Sequence, residues 1–160
     1  MQYYQNGFKP SDPRVKPADP VRAAVNAKPL PEKVDVLIVG CGPAGLTLAA
    51  QLSAFPEINT RIVEAKPGPI DKGQADGLNV RSMEMFQAFG FANKVKEESY
   101  WVNETTFWTP DPSNPAHIHR IGRVQDVADD QSEMPHVLMN QARVHELYLE
   151  FMKNSPSRLE

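Results

Sequence analysis

One stretch, Lys33 to Leu52 (KVDVLIVGCGPAGLTLAAQL), constrains what this chain can fold into more than any other. It opens on a short apolar run, Val34, Val36, Leu37, Ile38 and Val39, whose β-branched content predicts a strand buried on both faces. It turns through Gly40-Cys41-Gly42-Pro43-Ala44-Gly45 and enters a helix with a small near face: Ala44, Gly45, Ala49 and Ala50. A G-x-G-x-x-G turn between strand and helix is a dinucleotide fingerprint. Gly40 allows the tight turn. Gly42, without a Cβ, lets a pyrophosphate approach the backbone, and Gly45 lets the helix lie close on the strand. Pro43 costs the helix nothing, because a first-turn N–H has no intrahelical partner. The N–H groups and positive dipole end of that helix then face phosphate.

The residues downstream support this reading. Thr60-Arg61-Ile62-Val63-Glu64 is a second short strand ending in an acid. Glu64 stands a little past the ~20-residue offset expected of the carboxylate that binds a ribose 2′-OH. Such a carboxylate repels a 2′-phosphate, so NADP is disfavoured at this site.

Composition narrows the classes. With 41% hydrophobic residues the chain has enough apolar material for a core, and a net charge of −3 carries no footprint for nucleic acid or an anionic membrane. The one cysteine, Cys41, excludes an internal disulfide and a multi-cysteine metal site, and its place in the turn predicts burial. No apolar leader or membrane-length stretch is visible, so a soluble, reducing compartment is expected.

In chain order, Met1 to Glu32 reads as an extended arm, broken by Pro10, Pro13, Pro17, Pro20, Pro29 and Pro31, with Tyr3, Tyr4 and Phe8 as possible anchors. The helix after the fingerprint should end near Phe55, before Pro56. Ala65 to Asn79 reads as a loop, through Pro67-Gly68-Pro69 and Lys72-Gly73-Gln74-Ala75-Asp76-Gly77, turned toward a cofactor. Val80 to Gly90 is a helix with Met83, Phe86 and Phe89 on one face, Gly90 as its left-handed cap and Phe91 following. Arg81 in its first turn opposes the helix dipole and suggests an anionic partner. Phe91 to Ser99 is a short charged helix. Trp101 to Trp108 and His117 to Val124 read as a long β-ribbon around the Asp111-Pro112-Ser113-Asn114-Pro115 turn. His117 and His119 share a face, but with no acid or cysteine at matching spacing no metal is expected. Asp126 to Glu133 reads as a solvated acidic loop. Pro135 to Met139 is a short strand. Asn140 then caps a helix that buries Val144, Leu147, Tyr148 and Phe151, with Glu146 and Glu150 on the other face.

The fingerprint, the strand ending in Glu64, the Gln74-Ala75-Asp76-Gly77-Leu78 block followed by Arg81, and the Asn140-Gln141-Ala142-Arg143 block together resemble the flavoprotein aromatic hydroxylases. The resemblance is closest to their phenol hydroxylase and 3-hydroxybenzoate 4-hydroxylase branch, and covers nearly the whole chain from Asn6-Gly7-Phe8 onward. It implies that Gly40, Gly42, Pro43, Ala44 and Gly45 cradle the FAD pyrophosphate and that Glu64 binds the adenosine ribose. Gln74 would belong to the cofactor site, Arg81 would lie near the pyrophosphate, and Gln141 near the ribityl chain. Asp76 would lie by the flavin ring as a catalytic residue, and His136 would contact the substrate, with a ring carboxylate as one candidate group. The implied reaction is hydroxylation of a phenolic compound with NAD(P)H and O2, through a flavin C4a-hydroperoxide, in a cytoplasmic homodimer.

The expected fold class is α/β: a Rossmann-like FAD-binding βαβ unit of a doubly wound sheet, with an inserted β-ribbon, incomplete without downstream chain. Residues 1–32 would be the Pro-rich arm and residues 33–160 the N-terminal part of the FAD-binding domain. The family's Asp-Gly motif with its arginine, its Gly-Asp ribityl motif, the Tyr and basic residue of the phenol site and the branch's thioredoxin-like domain are absent from these 160 residues. The chain alone is therefore expected to be the start of a larger enzyme and inactive. Two other readings stay open: a different FAD oxidoreductase, against which the missing C-x4-C pair and the Gln74-to-Arg81 block argue, and a non-enzymatic binding module on the same fold. At the level of the motif alone, NAD could replace FAD.

Overall fold

The computed structural model describes residues 31–66, 68, 70, 74–153 and 155. The expected arm up to residue 30, with its aromatic anchors, lies outside the described residues, as do Pro67, Pro69, Lys72, Gly73 and the last five residues. The elements, in order, are β1 (Val36–Val39), α1 (Pro43–Leu52), β2 (Thr60–Val63), β3 (Gly77–Leu78), α2 (Val80–Ala88), α3 (Ala92–Glu98), β4 (Tyr100–Val102), β5 (Glu104–Asp111), β6 (Asn114–Gln125), β7 (His136–Leu138) and α4 (Gln141–Lys153). The chain divides into two compact units, Met1–Ala75 with Asn140–Glu160, and Asp76–Met139.

The first unit is built on a βαβ crossover. β1 and β2 pair in parallel, Val36 opposite Thr60 through Val39 opposite Val63, with α1 as the connection. α1 buries Leu46, Ala49 and Ala50. It lies so close to the first strand that a Cβ on Gly45 would sit 2.0 Å from the Gly40 carbonyl oxygen and 3.3 Å from Ile38 Cγ2. Gly40 itself has φ +105°, a conformation that disfavours any side chain. α1 stops three residues earlier than Pro56 requires, because Ser53 closes it: its N–H bonds the Ala49 carbonyl and its hydroxyl the Ala50 carbonyl. The expectation of a strand buried on both faces is corrected. Ile38 is buried, while Leu37 and Val39 are exposed, because among the described residues α1 covers one face only.

α4 packs on α1. Asn140 caps it as expected, its Oδ1 accepting the Ala142 N–H at 2.9 Å. Val144, Leu147 and Tyr148 are buried, but Phe151 is only half-buried and Met152 takes the core position. Burial of Leu46 and Leu147 contributes roughly 1.5–3 kcal/mol each. Arg143 is buried at 1% exposure, and its guanidinium pairs with Glu146. Glu146 is thereby drawn out of solvent, against expectation, to neutralise a buried charge.

The second unit holds an antiparallel sheet ordered β3-β7-β4 and the two-stranded β5-β6 ribbon. The expected single strand from Trp101 divides at Asn103: β4 pairs with β7, and β5 with β6. The ribbon turns at Pro112-Ser113, where Asp111 Oδ1 accepts both the N–H and the hydroxyl of Ser113. Within the expected loop, Gly77 and Leu78 form β3 against Leu138 and Val137. α2 ends as expected. Gly90 has φ +83°, its N–H bonds the Gln87 carbonyl, and the Phe91 N–H bonds the Phe86 carbonyl. The Phe86 and Phe91 rings meet at 4.9 Å, completing a Schellman motif.

The approach of α1 to β1 has a measurable consequence. Gly45→Ala should cost about 3 kcal/mol or more in urea unfolding, because the backbone oxygen it meets cannot move aside. Gly42→Ala, whose Cβ meets nothing within 4 Å, should change stability by no more than about 1 kcal/mol. Equal unfolding midpoints for the two variants would refute the packing argument.

Candidate functional site

The first unit carries an open cleft of about 540 Å³, counted to its mouth, in the range of small-molecule sites. Its floor is the fingerprint turn, with Cys41, Gly42, Pro43 and Leu46. Glu64 and Lys66 line it after β2, and Gln74, Gln141, Val144, His145 and Tyr148 complete it. No side chain caps α1, and its first turn holds no acid. Among the described residues, its N-terminal N–H groups thus have no side-chain acceptor. Gly42 is extended at φ −72°, ψ 177°; with no atom within 4 Å of its missing Cβ, the backbone there is open to close approach.

Glu64 is fixed by backbone donors. Its Oε2 accepts the Cys41 N–H at 2.8 Å and its Oε1 the Lys66 N–H at 2.9 Å. These bonds hold the carboxyl below its usual range, keeping it an anion that accepts from hydroxyls and repels phosphate. Partial burial pushes the Cys41 thiol up, and the Glu64 charge adds to that, which disfavours the reactive thiolate; the burial expected from its position is only partial. Thr47 joins the two helices: its hydroxyl bonds the Pro43 carbonyl and the Tyr148 hydroxyl, each at 2.7 Å. Burial raises Tyr148 above its ordinary value, more than that bond lowers it.

Of the residues expected at the site, the structure gathers Gly42, Pro43, Glu64, Gln74 and Gln141 around this cleft. The Gln74 N–H donates to Gln141 Oε1 at 3.2 Å. Gly40 and Gly45 shape the turn from below, and Ala44 is exposed in the first turn of α1. Asp76, Arg81 and His136 belong to the second unit. There Arg81, expected to have an anionic partner, pairs with Glu84 one helical turn on at 3.0 Å and keeps its side chain 83% exposed. The carbonyl of Asp76 accepts the Met139 N–H. His136 Nδ1 faces Asp126 Oδ2 at 2.7 Å, so the acidic loop is not wholly solvated.

Sequence reasoning missed His145. It lies four residues after Gln141, hence one turn along the same face of α4, which was the available signal. Burial depresses its pKa, partly offset by the Glu64 charge. A histidine held neutral destabilises the fold as it is forced to charge. The unfolded chain binds the extra proton first, so stability falls as pH drops below about 6.5 toward the lower folded value. His145→Gln should flatten that decline in melting temperature between pH 7.5 and 5.5; an unchanged slope would exclude His145 as its source.

The comparisons bear on what such a cleft holds. A family model described as FAD binding domain matches residues 33–157. The chain is 60% identical over all 160 residues to the 3-hydroxybenzoate 4-monooxygenase of Comamonas testosteroni, of which it covers 25%. It is 30% identical over 128 residues to a phenol 2-monooxygenase of Aspergillus fumigatus, covering 80% of this chain and 21% of that one. The chain thus spans about a quarter of the length of the curated relatives it matches. Among solved structures, the flavin-dependent monooxygenase PieE, crystallised with FAD and substrate, matches with a TM-score of 0.60 and 25% identity over 78% of this chain and 23% of its own. The p-nitrophenol 4-monooxygenase PnpA of Pseudomonas putida shares the fold, with a TM-score of 0.61 at 18% identity over 77% of this chain and 30% of its own. A fingerprint turn followed by an acid held on backbone donors, and a family match over most of the chain, lead to one conclusion: this chain belongs to the FAD-binding domain family.

Proposed function

We propose that the protein carrying this chain hydroxylates the ring of a small phenolic acid, with NAD(P)H as reductant and O2 as oxygen source. The observation that carries the reading is 60% identity along the whole chain to a 3-hydroxybenzoate 4-monooxygenase, with the Gly40-Gly42-Gly45 turn and Glu64 intact. On this reading the βαβ crossover is the Rossmann-like start of a doubly wound sheet, to which further strands of the longer protein add. The homodimer and cytoplasmic location implied by the resemblance belong to the same proposal. No helix among the described residues is long and apolar enough to cross a membrane.

The cleft fits the adenosine diphosphate half of FAD. The uncapped N-terminus of α1, with Gly42, Pro43, Ala44 and Gly45, would bind the pyrophosphate, and Gly40 would shape the turn beneath it. Glu64, already oriented by two backbone donors, would accept the ribose hydroxyls. Gln74 and Gln141, bonded to each other, would position the next part of the cofactor. The resemblance carries Arg81 to the pyrophosphate, Asp76 to the flavin ring and His136 to the substrate. When bound, FAD supplies the redox chemistry: it accepts a hydride and activates O2 for transfer of one oxygen atom to the ring. The protein's part is to orient the phenol, polarise or deprotonate its hydroxyl and exclude water.

The test is an absorption spectrum of the full-length protein, followed by NADPH and NADH oxidation with added phenols. Flavin bands, and oxidation accelerated by 3-hydroxybenzoate, are expected. A yellow protein indifferent to every phenol would transfer the function to another FAD oxidoreductase. A protein that takes up no FAD would leave only the binding-module reading. Gly42→Ala should weaken FAD binding at least about tenfold by interposing a methyl at the pyrophosphate; undiminished affinity would remove the turn from the site.

A further inference from the structure

α4 lines the cleft with two polar side chains one helical turn apart, Gln141 and His145. Gln141 is engaged, its Oε1 accepting the Gln74 N–H. His145 is half-buried, and none of the described residues hydrogen-bonds its ring. Tyr148, the next lining residue on α4, has its proton committed elsewhere. The Thr47 hydroxyl gives its one proton to the Pro43 carbonyl, so in the bond between Thr47 and Tyr148 the donor is Tyr148. Pro43 has no N–H to offer. The His145 ring therefore faces the cleft with its hydrogen-bonding capacity unused among the described residues.

The charges around that ring are few. Burial disfavours the imidazolium, and the Glu64 carboxylate across the cleft offsets this only in part. The other charged or titratable groups lining the cleft are Lys66, which follows β2 with Glu64, Cys41 in the turn and Tyr148 on α4. Backbone donors hold Glu64 anionic, while burial pushes Cys41 and Tyr148 up, so none of these three changes charge near neutral pH. On α4 itself, Glu146 is paired with Arg143. His145 is thus the lining group whose charge a ligand can alter. A pyrophosphate would add two negative charges to the same cleft, and like Glu64 it favours the imidazolium.

We propose that His145 is a cofactor-binding residue that takes up a proton from solvent as the FAD pyrophosphate enters the cleft and donates an N–H bond to it. This rests on the reading that the cleft receives FAD, and it adds a side-chain cation to the amides of α1. The sign follows from linkage. The loaded protein holds His145 at the higher pKa and so binds more protons than the cofactor-free protein. Affinity for FAD therefore rises as pH falls from the loaded value to the cofactor-free one, and levels off outside that window. The pyrophosphate diester and the flavin do not titrate near neutral pH, so the dependence belongs to the protein.

Calorimetric titration of FAD into full-length protein stripped of flavin, at pH 7 in two buffers of different ionisation enthalpy, counts the protons taken up. Flavin fluorescence at pH 6, 7 and 8 gives the affinities, with circular dichroism to verify the fold at each pH. The unaltered protein should take up a fraction of a proton per FAD and bind about fivefold more tightly at pH 6 than at pH 8, for a rise of about one pKa unit or slightly more. His145→Gln should take up none and keep its affinity within about twofold across the range. ADP-ribose, which retains the pyrophosphate diester, should show the same pH dependence as FAD. Absence of proton uptake by the unaltered protein overturns the proposal whether or not the variant folds. Proton uptake that His145→Gln retains in full overturns it too, as does an affinity for FAD that falls toward pH 6 in folded protein. If the stripped protein takes up no FAD at any pH, the FAD reading itself falls.

Discussion

The first unit depends on one close approach, between the carbonyl of Gly40 and the α-carbon of Gly45. A Cβ on Gly45 would lie 2.0 Å from that oxygen, so only glycine lets α1 descend onto β1. Everything else at the cleft follows from this distance. The helix N-terminus is brought down beside the end of the strand, and β2 is drawn alongside, its Val63 carbonyl accepting the Gly40 N–H at 2.7 Å. Glu64 then reaches back to the Cys41 N–H. The cleft thus joins two opposite electrostatic features: a helix end that favours anions and a fixed carboxylate that rejects them. A ligand with both phosphate and hydroxyl groups would satisfy the two together, as the proposed function requires.

The second unit is organised by a junction at Asn103. There β4 passes from the three-stranded sheet into the ribbon, and the returning strand closes on the same residue through Asp126. A two-stranded ribbon alone is marginal. The β5-β6 ribbon is reinforced by cross-strand pairing of Arg123 with Glu104 and by the Asp111 turn. It leaves Phe107, Trp108, Ile118 and Ile121 exposed. The junction brings together Thr105, Asp126 and His136, which are separated in sequence by 21 and 10 residues.

Much of this was legible in the sequence because it is local. Gly40, Gly42 and Gly45 state their own backbone demands, Asn140 its cap, and Gly90 with Phe91 its Schellman turn. Each depends on residues within one helical turn or one β-turn. The errors came where a distant partner decided the outcome. The strand from Trp101 divides because its first two residues pair with β7 and those after Asn103 with β6. Gly77 and Leu78 become a strand because β7 lies beside them. Arg143 is buried because Glu146 neutralises it within the packed face of α4.

The sequence by itself determined a strand-turn-helix unit able to receive a pyrophosphate, the acid that follows it, and the likeness to flavoprotein hydroxylases, because a glycine pattern acts through short-range sterics wherever it occurs. The tertiary structure alone decided that Glu64 is held by the Cys41 and Lys66 amides, that His145 lines the cleft, and that Asp126 stands behind His136. Those are through-space meetings between segments whose separation no local propensity encodes, and they exist only once the backbone pairings have set the distances.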